Sequence, residues 1–221
     1  MKLETILLEL KDILEEENLI KLDKLIKDIE KSILEEDFKL NNSDKKRLSA
    51  IKRVLNNKSV VRPILKAFTP AEKGVMFTDG YELYHLNNDY LPFPVAFNDS
   101  HSDEFKNEYL KEHNTLECIE GVYPNLNNCI PKYECQERVK VNAPELMKLY
   151  KITKKENSRK FYKFKTENFG DMVLDFDYLK NLIEILKLDD DFELELHGEN
   201  SPVIVHNKDN ELGLILPVRT F

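Results

Sequence analysis

The chain has 221 residues, 41% hydrophobic and 33% charged, with 33 Lys+Arg against 41 Asp+Glu and a formal net charge of −8. That balance excludes a disordered or fibrous polypeptide and suits one domain with an appendage, or two small domains. No apolar run approaches a membrane span, and the acidic start MKLETILLELKDILEEE is unlike a secretory signal.

Leu3, Leu7, Leu10 and Leu14, then Leu22, Ile26, Ile29 and Ile33, recur at helical spacing around the polar break Glu15-Glu16-Glu17-Asn18. Residues 1–42 therefore read as an acidic helical hairpin extension, with one bent helix as the alternative. The next loop offers Ser43 or Asp44 as N-cap for a helix over about 45–57. Its apolar stripe is Leu48, Ile51, Val54 and Leu55; its other face carries Lys45, Lys46, Arg47, Lys52 and Arg53. Strands are predicted over 61–68, 75–77 and 81–86, with Asp79-Gly80 as a tight-turn signal. Residues 88–121, with Pro92, Pro94 and a helical candidate at 104–112, read as an irregular insertion. A strand at 138–141 precedes a helix that opens at Asn142-Ala143-Pro144 and runs to about 151. Strands at 161–166 and 171–176, a helix at 178–188 and strands at 192–197, 203–206 and 212–218 complete the chain. Repeated helix-then-strands units predict an α+β architecture, helices covering one face of antiparallel sheets.

Catalytic chemistry is not evident. His85, His101, His113, His197 and His206 have no catalytic spacing, and six glycines form no phosphate loop. His113-x4-Cys118 and Cys129-x5-Cys135 lack the close ligand pairs of a zinc site, so neither metal nor cofactor is expected, and no enzymatic activity. Cys118, Cys129 and Cys135 cannot all pair, which points to a reducing, cytoplasmic setting. The stronger signal is charge. The net −8 is distributed unevenly: 44–58 is net +5, and 145–165 is net +6 through Lys148, Lys151, Lys154, Lys155, Arg159, Lys160, Lys163 and Lys165. Cations on a helix face neutralise phosphates without reading sequence; a solvated lysine-rich face is the alternative. The candidate DNA contacts are Lys45, Lys46, Arg47, Lys52, Arg53, Lys148, Lys151, Lys154 and Lys155.

Several motifs add a resemblance. The stretch from Val173-Leu174-Asp175-Phe176 through Tyr178-Leu179 to Leu186, then Ser201-Pro202-Val203-Ile204-Val205 and Leu214-Ile215-Leu216-Pro217-Val218-Arg219, resembles the third domain of the bacterial DNA polymerase III β sliding clamp. Gly121-Val122-Tyr123-Pro124 through Ile130-Pro131 is similar to that family's interdomain segment. Val61-Arg62-Pro63-Ile64-Leu65 and Phe77-Thr78-Asp79-Gly80-Tyr81-Glu82-Leu83 resemble the opening of a clamp domain.

The resemblance implies a DNA-clamp-like fold for 43–221 and a non-enzymatic protein that binds duplex DNA non-specifically, replication-protein peptides, or both. A homo-oligomer and an origin in a mobile element fit the same expectation, and a truncated clamp mimic acting as an adaptor or inhibitor is the alternative. The family's apolar peptide cleft maps onto Thr78, Gly80, Tyr81, Glu82 and Leu83, onto Pro124, Asn128 and Cys129, and onto Leu214, Leu216, Pro217, Val218 and Arg219. Departures are plain: Tyr81-Glu82 stands where the family carries His-Arg, and Asn127 and Asn128 stand at its arginines. The acidic hairpin has no clamp counterpart.

Overall fold

The computed structural model describes residues 41–58, 61–88, 91–113, 116–155 and 161–218. The hairpin expected over 1–42 lies outside these residues, apart from Asn41 and Asn42. The chain divides into two compact units, Met1–Lys45 and Lys46–Phe221, and the sheet and its core belong to the second.

Helix α1 spans Asn42–Leu55. Its cap is Asn41, whose Oδ1 accepts the Asp44 amide at 2.9 Å, rather than Ser43 or Asp44 as the sequence suggested. An asparagine oxygen three residues ahead satisfies an amide that the helix itself leaves orphaned. Ala50, Ile51, Val54 and Leu55 are buried, as the apolar stripe requires.

The strand expected over 61–68 is not formed. Pro63–Lys66 is a single 3₁₀ turn, because proline lacks the amide a strand interior uses and its fixed φ suits the first position of a helical turn. Only Phe68 keeps sheet-like bonding there, in a parallel bridge to Val95.

The other elements are β1 (Thr69–Pro70), β2 (Val75–Thr78), β3 (Glu82–Leu86), α2 (Asp103–Glu112), β4 (Glu137–Asn142), α3 (Ala143–Lys155), β5 (Phe161–Lys165), β6 (Asp171–Asp175), α4 (Phe176–Ile185), β7 (Asp191–Leu196), β8 (Val203–His206) and β9 (Leu212–Ile215). Helix α4 starts two residues earlier than the periodicity suggests, because the Asp175 carboxylate accepts the Asp177 amide as an N-cap. Strand β9 stops short of 218 because Pro217 has no amide for a ladder; Leu216 and Val218 still donate to Tyr81 O and Val173 O at 3.0 and 2.8 Å.

Among the described residues, seven strands form one sheet in the order β1-β2-β3-β9-β8-β7-β4, every pair antiparallel, and β5-β6 is a separate hairpin. Strand alternation divides the apolar residues between two layers. Phe77, Tyr84, Leu86, Ile215, Val203, Val205 and Leu194 pack in one core with Ile51 and Leu55 of α1, Leu146 and Tyr150 of α3, and Leu179 and Leu182 of α4. Met76, Leu83, Leu214 and Ile204 join a second cluster with Leu65, Tyr123 and Leu126. The α+β expectation, helices over an antiparallel sheet, therefore holds.

Gly213 permits a close approach of the α4 side chains to β9. A Cβ there would meet Leu186 Cδ1 at 3.1 Å, Tyr84 Cε1 at 3.2 Å and Leu182 Cδ1 at 3.3 Å.

Candidate functional site

The turn between β2 and β3 is built by its own side chains. Asp79 Oδ1 accepts the amides of Tyr81 and Glu82 at 2.8 and 2.9 Å. Thr78 Oγ1 accepts the Gly80 amide at 2.9 Å and donates to Glu82 O at 2.6 Å. Gly80 takes φ +95, a conformation open to glycine at little steric cost. The second Asp79 oxygen accepts the Asn57 side-chain amide at 2.6 Å, tying the turn to the segment that leaves α1. The Thr-Asp-Gly motif is thus a pre-organised turn that fixes the backbone at Tyr81 and Glu82.

These two neighbours point in opposite directions. Tyr81 is 49% exposed and stacks on Tyr178 of α4, ring centroids 6.0 Å apart. Leu216, 37% exposed, donates its amide to Tyr81 O, and Pro217 and Val218 beside it are half-buried. Tyr81 thereby links α4, through its ring on Tyr178, to the end of β9, through its carbonyl on the Leu216 amide. Burial first, then the charges of Asp79 and Glu82, raise the Tyr178 phenol well above its ordinary pKa.

Glu82 instead turns into the core and is 1% exposed. Its two oxygens accept Tyr84 OH at 2.7 Å and Asn181 Nδ2 at 2.8 Å. Burial, aided by the nearby Asp79 charge, pushes its carboxyl up to about 8. Arg53 Nε donates to Asn181 Oδ1 at 3.1 Å, so a polar chain runs from α1 through α4 to β3.

The other residues onto which the resemblance maps a peptide cleft are divided. Leu83 and Leu214 are cross-strand partners, both buried in the second cluster. Thr78 is buried, Gly80 exposed, Pro124 half-buried, and Asn128 and Cys129 exposed around the buried Leu126. Tyr123 is buried in the same cluster, and burial raises its phenol well above its ordinary pKa, its hydroxyl having no hydrogen-bond partner among the described residues. Arg219 and the side chain of Lys155 lie outside the described residues.

Helices α1 and α3 contribute to the same core, on the layer that α4 also covers. Lys45, Lys46 and Lys52 are exposed on α1, and Lys148, Lys151 and Lys154 lie on α3, with Lys154 Nζ 5.6 Å from the Tyr150 ring centroid. The arginines are engaged within the protein. Arg47 pairs with the buried Glu211 at 2.6 Å, and Arg53 with Glu184 of α4.

Sequence reasoning missed Tyr178 and Asn181, which read as ordinary helix positions. The available signal was their spacing: 178 and 181 lie on one helical face, and Asn181 interrupts the apolar run Leu179-Leu182-Ile183. Among the described residues, no helix is long and apolar enough to cross a membrane.

No family model matches the chain, and no curated protein matches it by sequence. Solved structures do match its fold. The β sliding clamp of C. crescentus superposes with a TM-score of 0.54 at 12% identity, over 83% of this chain and 68% of that one. The clamp of Bartonella birtlesii, solved bound to griselimycin, gives 0.53 at 12% identity over 80% and 64%. A Pseudomonas aeruginosa clamp gives 0.52 at 13% identity over 80% and 64%. The chain thus spans about two-thirds of the length of these clamps, and its fold is similar to that of bacterial DNA polymerase III β sliding clamps.

Proposed function

We propose that the protein is a non-enzymatic, clamp-like binding protein, 43–221 forming the clamp-like domain and 1–42 a helical extension. Its principal site is the apolar surface at Tyr81, Tyr178, Leu216, Pro217 and Val218, which receives a short peptide of a replication protein. The observation that carries this reading is the partly exposed Tyr81–Leu216 contact, held rigid by the Thr78-Asp79-Gly80 turn. An aromatic and an aliphatic anchor beside fixed backbone groups suit peptide capture, since apolar side chains supply the energy and polar groups the direction. Leu83, Leu214, Pro124, Asn128 and Cys129 support this surface or flank it. Fluorescence anisotropy with a labelled clamp-binding peptide tests the reading: saturable binding that Tyr81→Ala and Leu216→Asp each weaken at least about tenfold supports it, and binding unchanged by both overturns it.

DNA contact is the second reading, favoured by the lysines that α1 and α3 carry over one core. Lys45, Lys46, Lys52, Lys148, Lys151 and Lys154 would meet phosphates, with Arg47 and Arg53 holding α1 in place. Assembly of copies into a ring with a duplex-wide hole, measured by solution scattering, favours tracking along DNA. A compact monomer that binds peptide alone favours an adaptor or inhibitor.

A further inference from the structure

Strand β7 alternates between core and solvent: Phe192, Leu194 and Leu196 face the core, and Glu193 and Glu195 face outward. His197 continues the outward series, yet it is 7% exposed. Its cover is the segment before β4. Tyr133 lies edge-on to the imidazole at 5.7 Å, and the Gln136 amide extends the β4–β7 ladder by donating to Leu196 O at 2.9 Å.

The imidazole is held in one tautomer. His197 Nδ1 lies 2.9 Å from the Tyr133 carbonyl, which can only accept, so Nδ1 carries the proton. Nε2 is therefore the nitrogen with a free lone pair, and it is buried with no hydrogen-bond partner among the described residues. An orphaned buried acceptor calls for an explanation, an unseen ion among them. A backbone carbonyl fixing one ring nitrogen while the other stays open is the usual outer-sphere arrangement of a metal-binding histidine.

Cys135 and Glu195 complete the group. One ligand atom from each of Cys135, Glu195 and His197 lies within 4.8 Å of the others. Cys135 reaches them from the covering segment, where its thiol donates to Glu137 O at 3.1 Å. Sequence spacing gave Cys135 no close ligand partner, and no metal was expected; the sheet register brings it to Glu195 and His197, about sixty residues distant.

We propose that Cys135, Glu195 and His197 form a binding site for a divalent zinc ion, which fastens the 131–136 segment to the outer face of the sheet. A thiolate, a carboxylate and an imidazole nitrogen match the borderline-soft character of zinc better than that of calcium or magnesium. Tetrahedral bonding separates ligand atoms by roughly 3.3–3.8 Å, so the group needs to contract by no more than about 1.5 Å on binding. Cys135 and Glu195 are only half-buried and can make that movement. Arg138, 57% exposed, holds Glu195 at 3.0 Å and lies beside the thiol; zinc exchanges this solvent-facing ion pair for its own charge. His206 stands at the rim, Nε2 3.9 Å from Glu195 Oε2, and the fourth position falls to it or to water.

The test uses the full chain carrying Cys118→Ser and Cys129→Ser, which removes the two exposed thiols and leaves Cys135 alone. Zinc affinity is measured by competition with a chromogenic chelator, and cobalt(II) serves as the optical probe. The expected result is one equivalent of zinc, a cobalt–thiolate charge-transfer band, and slower amide exchange over 132–136 in the zinc-loaded protein. Cys135→Ser abolishes the band, and both it and His197→Gln weaken zinc by at least about 100-fold, beyond the loss typical of an outer-sphere partner. Cys135 is not part of the core, so Cys135→Ser decides the matter if His197→Gln fails to fold. Absence of stoichiometric zinc in the parent, or unchanged affinity in Cys135→Ser, overturns the proposal.

Discussion

Asn181 of α4 donates its side-chain amide to Glu82 Oε1 at 2.8 Å, joining residues 99 apart in the chain at the centre of the helix–sheet interface. Tyr84 occupies the other carboxylate oxygen and Arg53 reaches the Asn181 carbonyl, so one buried polar chain locks α1, α4 and β3 together. A polar chain in an apolar layer is costly when broken, because each freed group loses both its partner and water. Asn181→Leu is expected to destabilise the fold by about 1–3 kcal/mol in urea unfolding, chiefly by stripping Glu82 of a donor.

The same carboxyl makes stability pH-dependent. Burial raises Glu82 from 4.5 in the unfolded reference to about 8, so the folded state holds its proton more tightly than the unfolded state. That contribution is complete below about pH 4.5 and declines as pH rises through about 8. Urea midpoints measured across this window are expected to fall with rising pH, and Glu82→Gln is expected to flatten the decline. A slope identical in the variant would assign it to other groups.

Gly213 sets how closely α4 lies on the sheet. Gly213→Val places methyl groups into Leu186, Tyr84 and Leu182 and is expected to cost about 1–3 kcal/mol by overpacking. Gly74 is stricter. Its φ is +88 and a Cβ would lie 1.9 Å from Leu86 O, so Gly74→Ala is expected to open the β2–β3 hairpin, visible as faster amide exchange at Val75 and Leu86.

At the proposed peptide surface, Tyr81→Ala removes the partner of Tyr178 and half of the exposed anchor pair. Peptide affinity is expected to drop at least about tenfold, or about 1.4 kcal/mol, with the urea midpoint nearly unchanged, since Tyr81 is half-exposed. Equal losses of affinity and stability would mark the ring as structural.

For the lysine face, binding to random duplex DNA is expected to weaken steeply with salt. Charge reversal at Lys52 and Lys151, both exposed, is expected to reduce the slope of log affinity against log salt by about 0.9 for each phosphate no longer neutralised. Reversal at Arg47 is expected to act differently, destabilising the fold by stranding the buried Glu211.

The helical stripes, the strand alternation and the Thr-Asp-Gly turn were legible in the linear chain because each depends on spacing of a few residues. Ile51-Val54-Leu55 finds its core whichever sheet it meets, and Asp79 caps its own turn with amides two and three residues away. Even the segregation of charge onto two helices was readable, hidden only by the net −8. Tertiary structure decided which members of those patterns are free to act. Lys52 and Arg53 are neighbours in sequence, yet the helix turn between them leaves Lys52 in solvent and carries Arg53 to Glu184 and Asn181. Tyr81 and Glu82 are likewise adjacent, and strand alternation exposes one while burying the other. Cys135 meets His197 only through the β4–β7 register. Partners separated by sixty or a hundred residues are set by sheet order and helix packing, and local spacing carries no record of either.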